Sequence, residues 1–119
     1  MFDINKCEKI NLPQGAIYLG PSDGKKSVGY LELKSHSSLN LHNRPVIENL
    51  IQVKGRCNMV VYREEKGKTF LLNPKDNLVI EEPYIWHIHV NPYDEPSLTY
   101  WIFDGDIRKI IKNIRKNVL

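Results

Sequence analysis

The sequence predicts an all-β antiparallel barrel followed by one C-terminal amphipathic helix. From Ala16 to Phe103, short β-branched and aromatic runs recur at intervals of roughly ten residues, broken by Gly, Pro, Asn and Asp, which is the signal of a sandwich or barrel. No helical period interrupts that stretch. Beyond Asp104 the pattern changes, and Ile107, Ile110, Ile111, Ile114 and Val118 recur at helical spacing, with Arg108, Lys109, Lys112, Arg115 and Lys116 on other faces.

The first fifteen residues are polar and weakly patterned, so they are expected to lie along the surface or cross to a neighbouring subunit. Strands are then expected at Ala16 to Leu19, Val28 to Lys34, Ser38 to His42, Asn49 to Val53, Cys57 to Arg63, Thr69 to Leu72, Asn77 to Ile80, Trp86 to Val90 and Leu98 to Phe103. Pro21-Ser22-Asp23-Gly24 and Lys66-Gly67-Lys68 read as reversals, and Gly55 supplies a residue tolerant of positive φ. The stretch from Arg56 to Leu72 is a hairpin whose charged tip, Tyr62-Arg63-Glu64-Glu65, faces solvent. Pro92 to Pro96 is a loop, because two prolines cannot donate to a central ladder. The helix spans about residues 104–118, with Asp104 or Asp106 suited to its positive end and Arg115 and Lys116 to its negative end.

A chain of 119 residues suffices for one hydrophobic core, so residues 1–119 form one domain, with the barrel at about 16–103. It contains no apolar run of about 18 residues and no apolar segment of the signal-peptide type, and a cytoplasmic location is expected. Cys7 and Cys57 lie far apart and lack a CxxC pattern, which argues against a disulfide framework or a cysteine zinc site. A net charge of +3 falls short of a nucleic-acid footprint and suits a small anionic ligand equally well. The helix lacks an interfacial Trp or Phe on its apolar stripe, so it is expected to pack on the barrel or on a partner subunit rather than on a membrane. A homodimer is expected, since a small barrel with exposed edges gains by burying them.

His42, Glu48 and His87 are the residues best suited to chemistry. The stretch from His42 to Glu48 offers an imidazole and a carboxylate on closely paired extended segments, and His87 arrives in the run Trp86-His87-Ile88-His89-Val90-Asn91. Period-two alternation puts Ile85 and His89 on the face of His87, and Leu50 and Gln52 on the face of Glu48. Gln52 and His89 are therefore secondary ligand-binding candidates. His36 is read as exposed. Cys57, with nothing nearby to activate it, is read as a buried structural thiol.

The order His42-x-Arg44-x3-Glu48-x6-Gly55, then Lys75-Asp76 leading through Pro83 to His87-x3-Asn91, resembles the two motifs of the cupin superfamily over Val28 to Phe103. The resemblance implies a jelly-roll β-barrel in which His42, Glu48 and His87 point inward and hold a divalent metal such as iron, manganese, zinc, nickel or copper. The sequence departs from the motifs at three places: Arg44 stands at the second histidine, Lys75 at the glycine of a Gly-Asp turn, and Tyr84 after Pro83 where the motif has Pro-Gly.

A guanidinium only donates and stays charged, so Arg44 cannot ligate a cation. Two readings follow. In one, Arg44 turns aside, His42, Glu48 and His87 make an open two-histidine, one-carboxylate metal site, and Arg44 clamps an anionic or sugar-like ligand, as in isomerase- or dioxygenase-type cupins. In the other, Arg44 pairs with Glu48 and fills the metal position of a non-catalytic, metal-free ligand-binding barrel. A third reading makes the chain an interaction module whose basic helix contacts nucleic acid.

Overall fold

The computed structural model describes residues 1–116. Ten strands form two antiparallel sheets: β1 (Glu8–Leu12), β2 (Gly15–Ser22), β3 (Lys26–Leu33), β4 (Ser37–Ser38), β5 (Ile47–Lys54), β6 (Cys57–Arg63), β7 (Lys66–Leu72), β8 (Asn77–Ile80), β9 (His87–Asn91) and β10 (Ser97–Asp104). One sheet has the order β1-β2-β3-β10-β5-β8 and the other β4-β9-β6-β7. Helix α1 (Arg108–Arg115) follows. Val118, the last position of the expected stripe, lies outside the described residues.

Strict alternation builds the space between the sheets. In β5 the buried residues are Glu48, Leu50 and Gln52, and in β9 they are His87, His89 and Asn91. Leu33, Leu50, Met59 and Ile80 are almost wholly buried and fill the barrel. Helix α1 closes one mouth: Ile107, Ile111 and Ile114 join the same core, so its apolar stripe packs on its own barrel. Its cations are partly committed, since Arg108 pairs with Asp106 at 2.7 Å and Arg115 with Glu8 at 2.8 Å. Asp106 Oδ1 accepts the Arg108 N–H at 3.0 Å just outside the first turn. Asp104 instead pairs with Lys26 at 3.6 Å.

Three local expectations are corrected. The N-terminal segment is not featureless: β1 pairs with β2 from Glu8↔Leu19 to Leu12↔Gly15. With only Ile10 and Leu12 apolar in an edge strand, its alternation is too short to read. Ahead of it, Phe2 N–H donates to Tyr100 Oη at 3.1 Å, and Tyr30 Oη donates to the Phe2 carbonyl. The segment therefore lies along this chain's own sheet.

The expected strand from Ser38 to His42 reduces to Ser37–Ser38 and an isolated bridge at His42. The hairpin reversal falls on Glu64-Glu65, both at positive φ (51° and 65°), while Gly67 sits within β7 opposite Tyr62. Its lack of a side chain leaves room for the Tyr62 ring, which a Cβ would approach to 2.9 Å.

Two positions where the cupin motifs carry glycine keep a left-handed backbone without it: Lys75 has φ 79° and Tyr84 φ 64°. That conformation costs a residue with a Cβ roughly 1–2 kcal/mol, against a loss of roughly 0.5–1 kcal/mol when glycine is ordered. Lys75→Gly and Tyr84→Gly are both at exposed sites. Each is predicted to raise unfolding free energy in urea by up to about 1 kcal/mol, and a loss of stability in both would contradict the strain.

Candidate metal centre

Three imidazoles meet between the sheets. After β4 the chain stays near β9, with Leu39 N–H donating to the His89 carbonyl at 2.9 Å. At His42 it rejoins the strand. His42 N–H donates to the His87 carbonyl at 3.1 Å, and His87 N–H donates to the His42 carbonyl at 2.9 Å. This reciprocal pair sets the two side chains beside each other, with ring centroids 4.3 Å apart. His89, two residues along β9, lies 5.3 Å from each of the other rings and stacks on His42 at an interplanar angle of 5°. One ligating atom from each of the three falls within 4.8 Å of the others.

Main-chain carbonyls fix the ring orientations. His42 Nδ1 lies 2.7 Å from the Asn40 carbonyl and His87 Nδ1 lies 2.8 Å from the Ile85 carbonyl. A carbonyl only accepts, so each Nδ1 carries the proton, and in the neutral ring Nε2 keeps a free lone pair. His87 Nε2 and His89 Nδ1 are buried with no hydrogen-bond partner.

Glu48 reaches the cluster from the opposite sheet. Its neighbours in the ladder are Phe103 and Ile80, not His42, so the two segments are not paired as expected. Residues 43–46 instead carry the chain from one sheet to the other, and the side chains converge across the barrel. Glu48 Oε2 lies 3.3 Å from His87 Nε2, both essentially inaccessible to solvent. That contact is not aligned as a hydrogen bond. Two atoms bound to one transition metal at about 2.1 Å lie about 3.0–3.4 Å apart, so the spacing suits a shared cation.

Arg44 shares a cavity with the cluster. Its Nη1 donates to the Asn43 carbonyl at 3.1 Å, and no ion pair joins it to Glu48 among the described residues. Burial lowers the Arg44 pKa while the Glu48 charge opposes that shift. The guanidinium lines both a small cavity of about 50 Å³, shared with His42, Glu48 and His89 and walled by Trp101, Phe103 and Ile114, and a larger depression.

Gln52 is inward but elsewhere occupied. Its Nε2 donates to the Lys54 carbonyl (2.9 Å) and to Ser97 Oγ (2.9 Å), and its Oε1 accepts from Thr99 Oγ1 (2.7 Å). It lines neither the cavity nor the depression. His36 meets Asp94 at 2.6 Å on the exposed surface. Cys57 is buried, which pushes its thiol up to about 11 and leaves it inert. Asn91 holds the strand end, its Nδ2 donating to the carbonyls of Leu33, Lys34 and Glu95.

The fold has solved counterparts. An S161A mutant of Bacillus subtilis oxalate decarboxylase superposes with a TM-score of 0.76 at 21% identity, over 87% of this chain and 29% of that one. The Lactobacillus farciminis oxalate decarboxylase formate complex superposes at 0.76 and 22%, over 89% and 33%. This is the cupin fold. The cupin domain described here spans about a third of the length of those two proteins. Peruvianin-I from Thevetia peruviana latex, described as a cysteine peptidase, matches at 0.63 and 15%, over 68% and 51%. The B. subtilis oxalate decarboxylase has Mn(II) centres. No family model matches the chain, and no curated protein matches it. No helix among the described residues is long and apolar enough to cross a membrane.

Two of the three clustered histidines have lowered pKa values. Burial, then the neighbouring His87 and Arg44, lower the His42 pKa from 6.5 to about 3, and burial, then His42, His87 and Arg44, lower that of His89 well below 6.5. Unfolding returns both to the ordinary value, so below pH 6.5 the unfolded chain binds the extra protons. Stability is full above that pH and is lost as pH falls towards 3, by up to about 1.4 kcal/mol per pH unit per histidine. The metal-free protein should therefore have a lower urea midpoint at pH 5 than at pH 7. The difference should shrink in His42→Asn and His89→Gln, and equal pH dependence in these variants would contradict the assignment.

Proposed function

We propose that the chain is a small metal-binding cupin in which His42, His87 and His89, with Glu48, hold one divalent transition metal, and Arg44 holds a small anionic ligand at the mouth. The observation that carries this reading is the pair of orphaned buried nitrogens, His87 Nε2 and His89 Nδ1, in a cluster that the buried Glu48 carboxylate approaches to 3.3 Å. Leaving such groups unsatisfied costs roughly 1–3 kcal/mol each, and a cation satisfies them together. A nitrogen-rich set with one carboxylate suits zinc, iron or nickel, and manganese where the carboxylate and water complete it.

His89 takes the part that a second motif histidine would play. The imidazole absent at position 44 is supplied two residues beyond His87 on the same face of β9, and Arg44 is thereby released for ligand binding. When bound, the metal supplies Lewis-acid or redox chemistry of the kind used by isomerase- and dioxygenase-type cupins. This chain's own contribution is to hold the imidazoles by the Asn40 and Ile85 carbonyls, to keep water from the apolar side with Trp101, Phe103 and α1, and to orient an anion through Arg44. The metal-free reading needs Arg44 on Glu48, and the guanidinium points instead to Asn43. The interaction-module reading is weakened because Arg108 and Arg115 already pair with Asp106 and Glu8.

Protein purified without chelator is predicted to carry about one equivalent of transition metal by elemental analysis. His87→Ala should lose it, and His89→Ala should weaken binding by about ten-fold or more, the usual scale for disrupting a metal site. Full retention in His89→Ala would return the site to two histidines and a glutamate. Absence of metal from the parent protein after reconstitution would end the proposal.

A further inference from the structure

The depression outside the imidazoles carries a chemistry that the metal centre does not use. Its volume is about 300 Å³, at the small end for ligand pockets, and it shares Leu39, His42, Arg44 and Ile110 with the inner cavity. No carboxylate lines it, so Arg44 gives it a positive character. One guanidinium N–H is spent on the Asn43 carbonyl, out of five available.

Three carboxamides line the depression together with Arg44. Gln14 comes from the turn between β1 and β2, Asn40 from the segment before His42, and Asn113 from α1, three parts of the chain that converge only in the folded barrel. Asn40 and Asn113 are exposed at the rim. The Gln14 Oε1 is buried and has no hydrogen-bond partner. A carboxamide both donates and accepts. The chemical group that matches several carboxamides, each as donor and acceptor, is the hydroxyl. The group that matches Arg44 is a carboxylate, bound through two parallel N–H donors.

We propose that this depression is a subsite for a small polyhydroxylated carboxylate, a sugar acid in chemical class, with its carboxylate on Arg44 and its hydroxyls on Gln14, Asn40 and Asn113. The assignment rests on the reading of Arg44 as an anion site and deepens it; it does not depend on which metal binds. A pocket of this volume limits the ligand to about the size of one monosaccharide.

The test is calorimetric titration of the full chain, metal-free and metal-loaded, with D-gluconate, hexanoate and sorbitol. Gluconate should bind at least ten-fold more tightly than either of the others. Gln14→Leu and Asn113→Leu should each weaken gluconate binding about five-fold or more while leaving hexanoate binding and metal stoichiometry unchanged, with thermal melts verifying that both variants fold. Hexanoate binding as tightly as gluconate would overturn the proposal, as would gluconate failing to bind or both leucine variants keeping full affinity. Arg44→Met separates the two levels. If it abolishes binding of both acids while the leucine variants change nothing, the sugar-acid assignment alone fails; if it leaves both acids bound, the anion site fails with it.

Discussion

The reciprocal main-chain pair between His42 and His87 is the constraint on which the site depends. Two hydrogen bonds, at 3.1 and 2.9 Å, pin an otherwise irregular segment to β9 at His42. Without it His42 has no reason to face His87, and His89 has nothing to stack upon. The pair also sets the frame for the carbonyls of Asn40 and Ile85, each two residues before the imidazole whose Nδ1 it receives. A main-chain acceptor cannot rotate away as a side chain can, so the rings are fixed by the same ladder that builds the sheet. The chemistry of the centre is in this sense a consequence of strand pairing.

The two sheets then contribute different things. The β4-β9-β6-β7 sheet brings the imidazoles, while the larger sheet brings Glu48 and an apolar wall of Leu50, Trp101 and Phe103. Helix α1 closes the mouth with Ile110 and Ile114. Low dielectric on one side strengthens electrostatics on the other, and it is why the pKa values of His42 and His89 fall. Arg44, at the border between cavity and depression, adds to that fall and makes the entrance attractive to anions. One of its N–H donors is held on the Asn43 carbonyl.

Much of this was legible in the residues. The barrel, the helix, and the inward faces of Glu48-Leu50-Gln52 and His87-His89 follow from alternation, which depends only on strand geometry. The motif anchors Gly55 and Asn91 are where backbone demands are strict: Gly55 has φ 64° and a Cβ there would lie 2.2 Å from the Pro96 carbonyl oxygen. What alternation cannot reveal is distance along the barrel axis. Gln52 and Glu48 share a face, yet four residues of rise put Gln52 among Ser97 and Thr99, where its carboxamide is used up. His89 was marked by its period-two relation to His87, but its rank above Gln52 required the ring-to-ring distances. Gln14 and Asn113 left no signal, since one lies in a turn beside a short edge strand and the other on a helix read for its isoleucines. The Glu64-Glu65 reversal was hidden because neither residue is one that favours positive φ.

The central claim is that the main-chain carbonyls of Asn40 and Ile85 hold Nδ1–H of His42 and His87, which turns Nε2 of both rings towards the cluster. Long-range proton–nitrogen correlation spectra of the histidine side chains in the metal-free protein at pH 7 test it directly. The Nδ1–H tautomer is expected for both rings, with both Nε2 resonances shifting when metal is added. Nε2–H tautomers in either ring, or a His42 imidazole that titrates near its ordinary value of 6.5, would contradict it.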